Sequence, residues 1–426
     1  MLRAILLSFT VALAACAAPG PGPSPSPSPP TTAQINSLAG DFRLLSTELP
    51  RRHVNPFTRV SRDQWILEAR ALEADAASDS HHFIDLYFRM CQLVAKLGDG
   101  HTRVATSILM REFPFSLYEF ADGPVVTAAA PDHADLLGLR LLCIGDTPYD
   151  QAAPMIATLF PVENRAMVVT GVPRWANRAE ALAFLDLIDE VEQAPFTFVD
   201  ADGRERTVVL TSKKIRDPES DQAWRNAVPA DRWRMTSRLK HHYAYDILPD
   251  HNAIAIRYDN CANDRRRPFK EFVNDVRSAL NESQARRVII DLRTNGGGDS
   301  AVIAPLVSLL RSRPELKRRG SVIVLIGHHT YSSAQLNAIE LQRACGAMLI
   351  GQPTGQRPNA FGEIRFLTLP YTDIMIQYST KRFQTAPRGT DPESTFPDIE
   401  IAPSSADYLA GRDPVLEAAL ALPFDR

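Results

Sequence analysis

The sequence predicts an α/β protein, and three observations carry that reading. Arg287-Val288-Ile289-Ile290-Asp291-Leu292-Arg293 and Ser321–Gly327 are near-continuous apolar runs, as expected of strands covered on both faces. Each run is followed by a loop and a helical pattern, through Leu310 after the first and over Ala334–Ala344 after the second. Ala253–Tyr258 and Met348-Leu349-Ile350 extend the alternation, with Phe269–Leu280 as a further helix. Strands alternating with helices place the loops at the carboxyl ends of the strands, where α/β proteins build their sites.

The elements before this layer follow in order. Residues 33–112 read as a helical region, with Leu38, Phe42, Leu45 and Leu49 at helical spacing and Pro50 and Asn55-Pro56 as punctuation. That region closes on Leu97-Gly98-Asp99-Gly100-His101-Thr102 and turns extended at Arg103. Over 113–215 the pattern is a strand near Gly123–Thr127, then strand and turn over Gly138–Pro148, then a helix to about Phe160. Phe196–Val199 and Arg206–Leu210 flank Asp202-Gly203, a type I′ hairpin signal. The outline is a small, partly open barrel, PDZ-like in shape.

The amino terminus is of another kind. Residues 1–15 carry one arginine, a short apolar run and small residues, the pattern of a secretory signal peptide. Leu13-Ala14-Ala15-Cys16 resembles a bacterial lipobox, which makes Cys16 the expected lipidation site; simple cleavage after a small residue is the alternative. The chain has 32 prolines, and seven of them fall within residues 19–30, so residues 16–32 read as an extended Pro/Ser tether. A lipid anchor at the membrane would then hold the body in the bacterial cell envelope, facing the periplasm; secretion is the alternative location.

Composition narrows the function. A formal net charge of −3 gives no basic surface for nucleic acid. Cys91, Cys143, Cys261 and Cys345 show no ligand spacing, so no metal or other cofactor is expected. The run Asn295-Gly296-Gly297-Gly298 fits neither phosphate-binding glycine pattern, but allows close backbone approach and an outward N–H. Ser332 stands where a strand enters a helix, a place suited to a nucleophile. Ser332-x-x-Gln335 is equally a capping box. His101, on its Gly-Asp-Gly turn, can serve as a general base.

Taken together, LGDGHT, IIDLRTNGGG, TYSSA, LIGQPTG and FPDIEI resemble the tail-specific (C-terminal-processing) serine proteases over roughly residues 38–420. The resemblance implies a crotonase-like (ClpP/crotonase) catalytic core over 240–420 and a degenerate PDZ-like domain over 113–215. It implies Ser332 as nucleophile, with the N–H groups of Gly298 and Ser333 as oxyanion hole. Many members carry a Lys base after the GxPT turn; this chain has Gln356-Arg357 there. His101 is then the base, as in the tricorn-like branch, with Glu393 as the acid and Asp391 as its alternative. That branch has Ser before the His, where this chain has Gly100. The implied activity is that of an exported serine-type endopeptidase cleaving unfolded or C-terminal segments of envelope proteins. The same superfold also holds non-catalytic binding modules, such as those of interphotoreceptor retinoid-binding protein, so a peptide- or lipid-binding envelope protein is the second reading.

Overall fold

The computed structural model describes residues 37–78, 81–105, 110–215, 224–229, 241–283 and 285–423. The expected signal peptide, Cys16 and the tether lie outside the described residues. Among those described, no helix is long and apolar enough to cross a membrane.

The α/β layer is a six-stranded sheet in the order Tyr243–Leu248, Ala253–Tyr258, Arg287–Asp291, Val322–Ile326, Met348–Gly351, Ile399–Glu400. The first pair is antiparallel and the rest are parallel. Alternate side chains of each strand point to opposite faces. Val288, Ile290, Val322 and Val324 pack beneath the helices Phe269–Ser283, Ala304–Arg311 and Ser333–Cys345. Ile289, Ile323 and Leu325 face the helix Pro414–Ala421 through Val415 and Ala419. Double coverage explains why these strands are apolar throughout. Arg287 begins the third strand fully buried, donating to the carbonyls of Gly320, Ala419, Leu420 and Leu422 and so pinning the last helix to the sheet.

A second core joins everything else. The helices Leu38–Arg52, Arg62–Ala77 and Phe83–Ala95 bury Phe42, Leu45, Trp65 and Phe88, and share one apolar cluster with the insert. The insert is an antiparallel sheet, Arg225–Asn226, Gly123–Ala129, Arg140–Ile144, Gln193–Val199, Glu205–Thr211, with Phe115–Phe120 also on Gly123–Ala129. Its interior is aromatic: Phe113 and Phe115 meet Phe196 edge-on at 4.7 and 5.1 Å. The Asp202-Gly203 turn departs from the type I′ expectation. Only Gly203 has positive φ, and Asp200 Oδ1 accepts from the N–H groups of Asp202 and Arg204 to close a wider loop.

A long hairpin packs on this second core through Leu367, Ile376 and Tyr378. Asn359–Thr368 pairs with Met375–Gln384, and Arg103–Val104 adds to the outer edge with Arg103 opposite Gln377. This pairing fixes the residues just after His101 to the hairpin.

Candidate active site

Ser332 precedes the helix Ser333–Cys345 at φ 55° and ψ −126°, a conformation that side chains other than glycine rarely adopt. Such a turn lifts Oγ clear of the helix it precedes. The capping-box reading does not hold. Ser332 makes no side-chain cap, and Gln335 donates to the Arg357 carbonyl at 2.9 Å while accepting from Thr354 at 2.6 Å. Instead, Ser332 Oγ lies 3.0 Å from His101 Nε2, although 231 residues separate them in sequence.

His101 is 8% exposed and is placed by its turn. Asp99 Oδ1 accepts from the His101 N–H, Asp99 Oδ2 from Thr102 Oγ1 at 2.5 Å, and Gln377 donates to the His101 carbonyl at 2.8 Å. Asp99 also meets His53 Nε2 at 2.9 Å. Burial alone would push the Asp99 carboxyl up, but the hydrogen bonds from His53 and Thr102 outweigh it and hold the group below its usual range. Burial lowers the His101 pKa despite the opposing pull of Asp99, which keeps the imidazole neutral.

The glycine loop is locked to the nucleophile by one side chain. Asn295 donates to the Tyr258 carbonyl at 2.7 Å and accepts from the Gly297 N–H at 2.9 Å, while its own carbonyl accepts from the Tyr331 N–H. Behind it, Arg293 is buried between Asp291 and Asp413 at 2.6 and 2.7 Å. A Cβ on Gly297 would lie 2.7 Å from the Ser332 Cβ and 3.0 Å from the Ser333 nitrogen, so the loop passes directly over the nucleophile. Gly298 has φ 135°, and a Cβ there would meet the Cys261 carbonyl oxygen at 2.3 Å. Among the described residues, the N–H groups of Gly298 and Ser333 donate to no protein acceptor. Ser333 Oγ bonds the Gly298 carbonyl at 2.6 Å and ties the two N–H groups into one neighbourhood.

Glu393 is not brought to His101. It is exposed, and its bond into this region is through its carbonyl, to Asn164 Nδ2 at 2.8 Å. The Asp391 carboxylate is taken by Arg357 and Asn359. Asn164 also ties down Ser394 and the Thr354 carbonyl, which turns this segment's main chain, and not its acids, toward the site. The Nδ1 edge of His101 instead meets Tyr331 Oη at 3.1 Å and Gln356 Nε2 at 3.2 Å. Gln356 therefore sits beside His101.

Glu163 was invisible to sequence reasoning. It lies 63 residues beyond Gly100 in a stretch without periodicity, yet its Oε1 accepts from the Gly100 N–H at 2.9 Å and its Oε2 from the Arg357 N–H. Asp99, His101 and Glu163 offer ligand atoms within 4.8 Å of one another. The carboxylates are already committed to His53, Thr102 and backbone amides, so the cluster is arranged as an acid–base network. Cys91, Cys143, Cys261 and Cys345 are free thiols.

Known structures share this arrangement of chain. Mature CPAF complexed with lactacystin superposes with a TM-score of 0.65 at 12% identity, covering 91% of this chain and 98% of that one. Mature CPAF itself gives 0.62 at 12% identity, over 91% and 96%. The chain has the CPAF fold. It matches CPAF along almost its whole described length, inserted sheet included. No family model matches this sequence, and no curated protein matches it.

Proposed function

We propose that this protein is a serine peptidase in which Ser332 is the nucleophile and His101 the general base. The observation that carries the reading is the 3.0 Å approach of Ser332 Oγ to a buried, neutral His101 at a strained turn facing two unpaired N–H groups. Peptide cleavage needs a nucleophile, a base and donors for the developing oxyanion, and these residues supply each part.

In the reaction, the Ser332 Oγ–H passes its proton to His101 Nε2 as Oγ bonds the substrate carbonyl carbon. The carbonyl oxygen gains negative charge and is received by the N–H groups of Gly298 and Ser333. The tetrahedral adduct collapses, the C–N bond breaks, and the Nε2 proton leaves on the amine. A water then attacks the acyl-enzyme by the same route, with His101 taking its proton and returning it to Ser332. The binding-module reading expects the nucleophile or the base to be lost; the intact pair supports the enzyme. The substrates proposed are polypeptides of the envelope, reached from a Cys16 lipid anchor and a Pro/Ser spacer.

A fluorophosphonate probe tests the chemistry. It should label the wild type on Ser332, and neither Ser332→Ala nor His101→Ala at a comparable rate. Equal labelling of wild type and Ser332→Ala overturns the proposal. Metabolic labelling with a fatty acid, lost in Cys16→Ala, tests the anchor separately.

A further inference from the structure

His101 can take the Ser332 proton only in the tautomer with hydrogen on Nδ1 and a lone pair on Nε2. Something must therefore accept at Nδ1. Gln356 Nε2, at 3.2 Å, can only donate, and alone it would favour the opposite, idle tautomer. The Phe361 carbonyl is one acceptor on this side of His101, shared with Gln356 Nε2 at 3.4 Å. Tyr331 Oη, at 3.1 Å, is a hydroxyl that can accept from Nδ1 while donating elsewhere, and Glu163 Oε1 borders the same small space beside Gly100. The Tyr331 ring lies against the imidazole with centroids 4.8 Å apart and planes 31° apart, so hydroxyl and base move as one unit. The space for that hydroxyl comes from Gly100. A Cβ at position 100 would fall 2.4 Å from Tyr331 Oη and 2.7 Å from Glu163 Oε1.

We infer that Tyr331 is the positioning residue of this site: its hydroxyl, anchored on the Glu163 carboxylate, accepts the Nδ1–H hydrogen bond of His101 and holds the base in its working tautomer. The inference rests on the reading of Ser332 and His101 as nucleophile and base. It supplies the negative charge that Glu393 does not deliver, through a hydroxyl instead of by direct contact. Burial and the neighbouring Asp99 raise the Glu163 pKa to about 8, against the pull of the Arg357 and Gly100 amides and the Arg357 charge. The charged and titratable groups around this chain of bonds are Asp99, His101, Arg103, Tyr331 and Arg357. As pH rises through the Glu163 pKa, the carboxylate forms and the support of the imidazolium strengthens.

The test compares Tyr331→Phe, Glu163→Gln, Gly100→Ser and the double variant Tyr331→Phe/Gly100→Ser with the wild type, after circular dichroism confirms folding. Rates of fluorophosphonate labelling at Ser332 and of peptide cleavage are measured from pH 5 to 10. Tyr331→Phe should label about 10- to 100-fold more slowly, the loss typical when the outer partner orienting a metal-bound histidine is removed, with KM unchanged. Both Tyr331→Phe and Glu163→Gln should lose the rise in rate near pH 8. Gly100→Ser alone should be impaired, because its side chain collides with Tyr331 and Glu163. The double variant still places a Cβ 2.7 Å from Glu163 Oε1 and should stay impaired. Labelling of Tyr331→Phe at the wild-type rate with an unaltered pH profile overturns the inference and leaves the Ser332–His101 pair standing. Failure of the wild type to label at Ser332 removes both. Should Tyr331→Phe not fold, the 15N shifts of His101 in the wild type above pH 8 decide: protonation on Nδ1 supports the relay, and protonation on Nε2 overturns it.

Discussion

The strained turn at Ser332 gives a stability prediction independent of any substrate. With φ 55° and ψ −126°, Ser332 occupies a conformation that costs a residue with a Cβ roughly 1–3 kcal/mol. Glycine adopts it freely, at the expense of about 0.4–1 kcal/mol of extra unfolded-state entropy. Ser332→Ala keeps the strain and loses the bond to His101; Ser332→Gly loses the same bond and sheds the strain. The difference between the two variants therefore isolates the backbone term, and Ser332→Gly should be more stable than Ser332→Ala by about 1 kcal/mol. For a protein of this size that is a rise in Tm of about 2 °C or slightly less. Both variants lack the nucleophile, so self-digestion cannot distort the comparison in urea titration or calorimetry. A Ser332→Gly protein that melts at or below Ser332→Ala would show that the turn stores no strain.

Other expectations are shorter to state. Gly298→Ala forces a Cβ to 2.3 Å from the Cys261 carbonyl, so the loop must shift; labelling kinetics should show kcat lower by about 10²- to 10³-fold, the scale of a lost oxyanion donor. Because burial lowers the His101 pKa below 6.5, the kcat/KM–pH profile of Glu163→Gln, which lacks the step near pH 8, should have its acid midpoint under that value, and a midpoint above it would contradict the buried base. The Asp99 carboxyl is held below its ordinary 3.8. Its contribution to stability is thus complete above about pH 4 and fades as pH falls through its folded value. Asp99→Asn should accordingly cost about 1–3 kcal/mol at pH 7 in urea unfolding, and progressively less as pH falls through the folded value of Asp99. Arg287→Leu strips four carbonyls of their donor and should lower Tm by loosening the helix Pro414–Ala421, with proteolysis near the C-terminus as the readout.

What was legible in the sequence follows from how local its cause is. The strands Arg287–Asp291 and Val322–Ile326 could be read because burial on both faces demands apolar residues at every position. The hairpin Asn359–Thr368 with Met375–Gln384 could not, because the positive φ at Glu363 and the half-exposed Phe366 interrupt period-two alternation. Ser332, His101 and Gly298 announce themselves by sitting on short turns after regular elements. Glu163 has no such context; only the folded chain carries it to the Gly100 N–H. Tyr331 lay in plain view inside TYSSA without any assigned role, since nothing local tells a packing tyrosine from one that contacts a histidine 230 residues away. Glu393 was expected from its place before Pro397-Asp398. What spacing could not convey is that Asn164 binds the main chain of that segment and leaves the carboxylate outside.

The separation of the two cores has a bearing on the life of the chain before it is finished. His101 is rooted in the cluster built by the N-terminal helices and the insert, whereas Ser332 is rooted in the six-stranded sheet. His101 emerges from synthesis long before Ser332. Until the sheet has formed and the hairpin has docked Arg103–Val104 against Met375–Gln384, Ser332 has no proton acceptor. A part-folded copy therefore lacks the Ser332–His101 contact, and melting of either core breaks it.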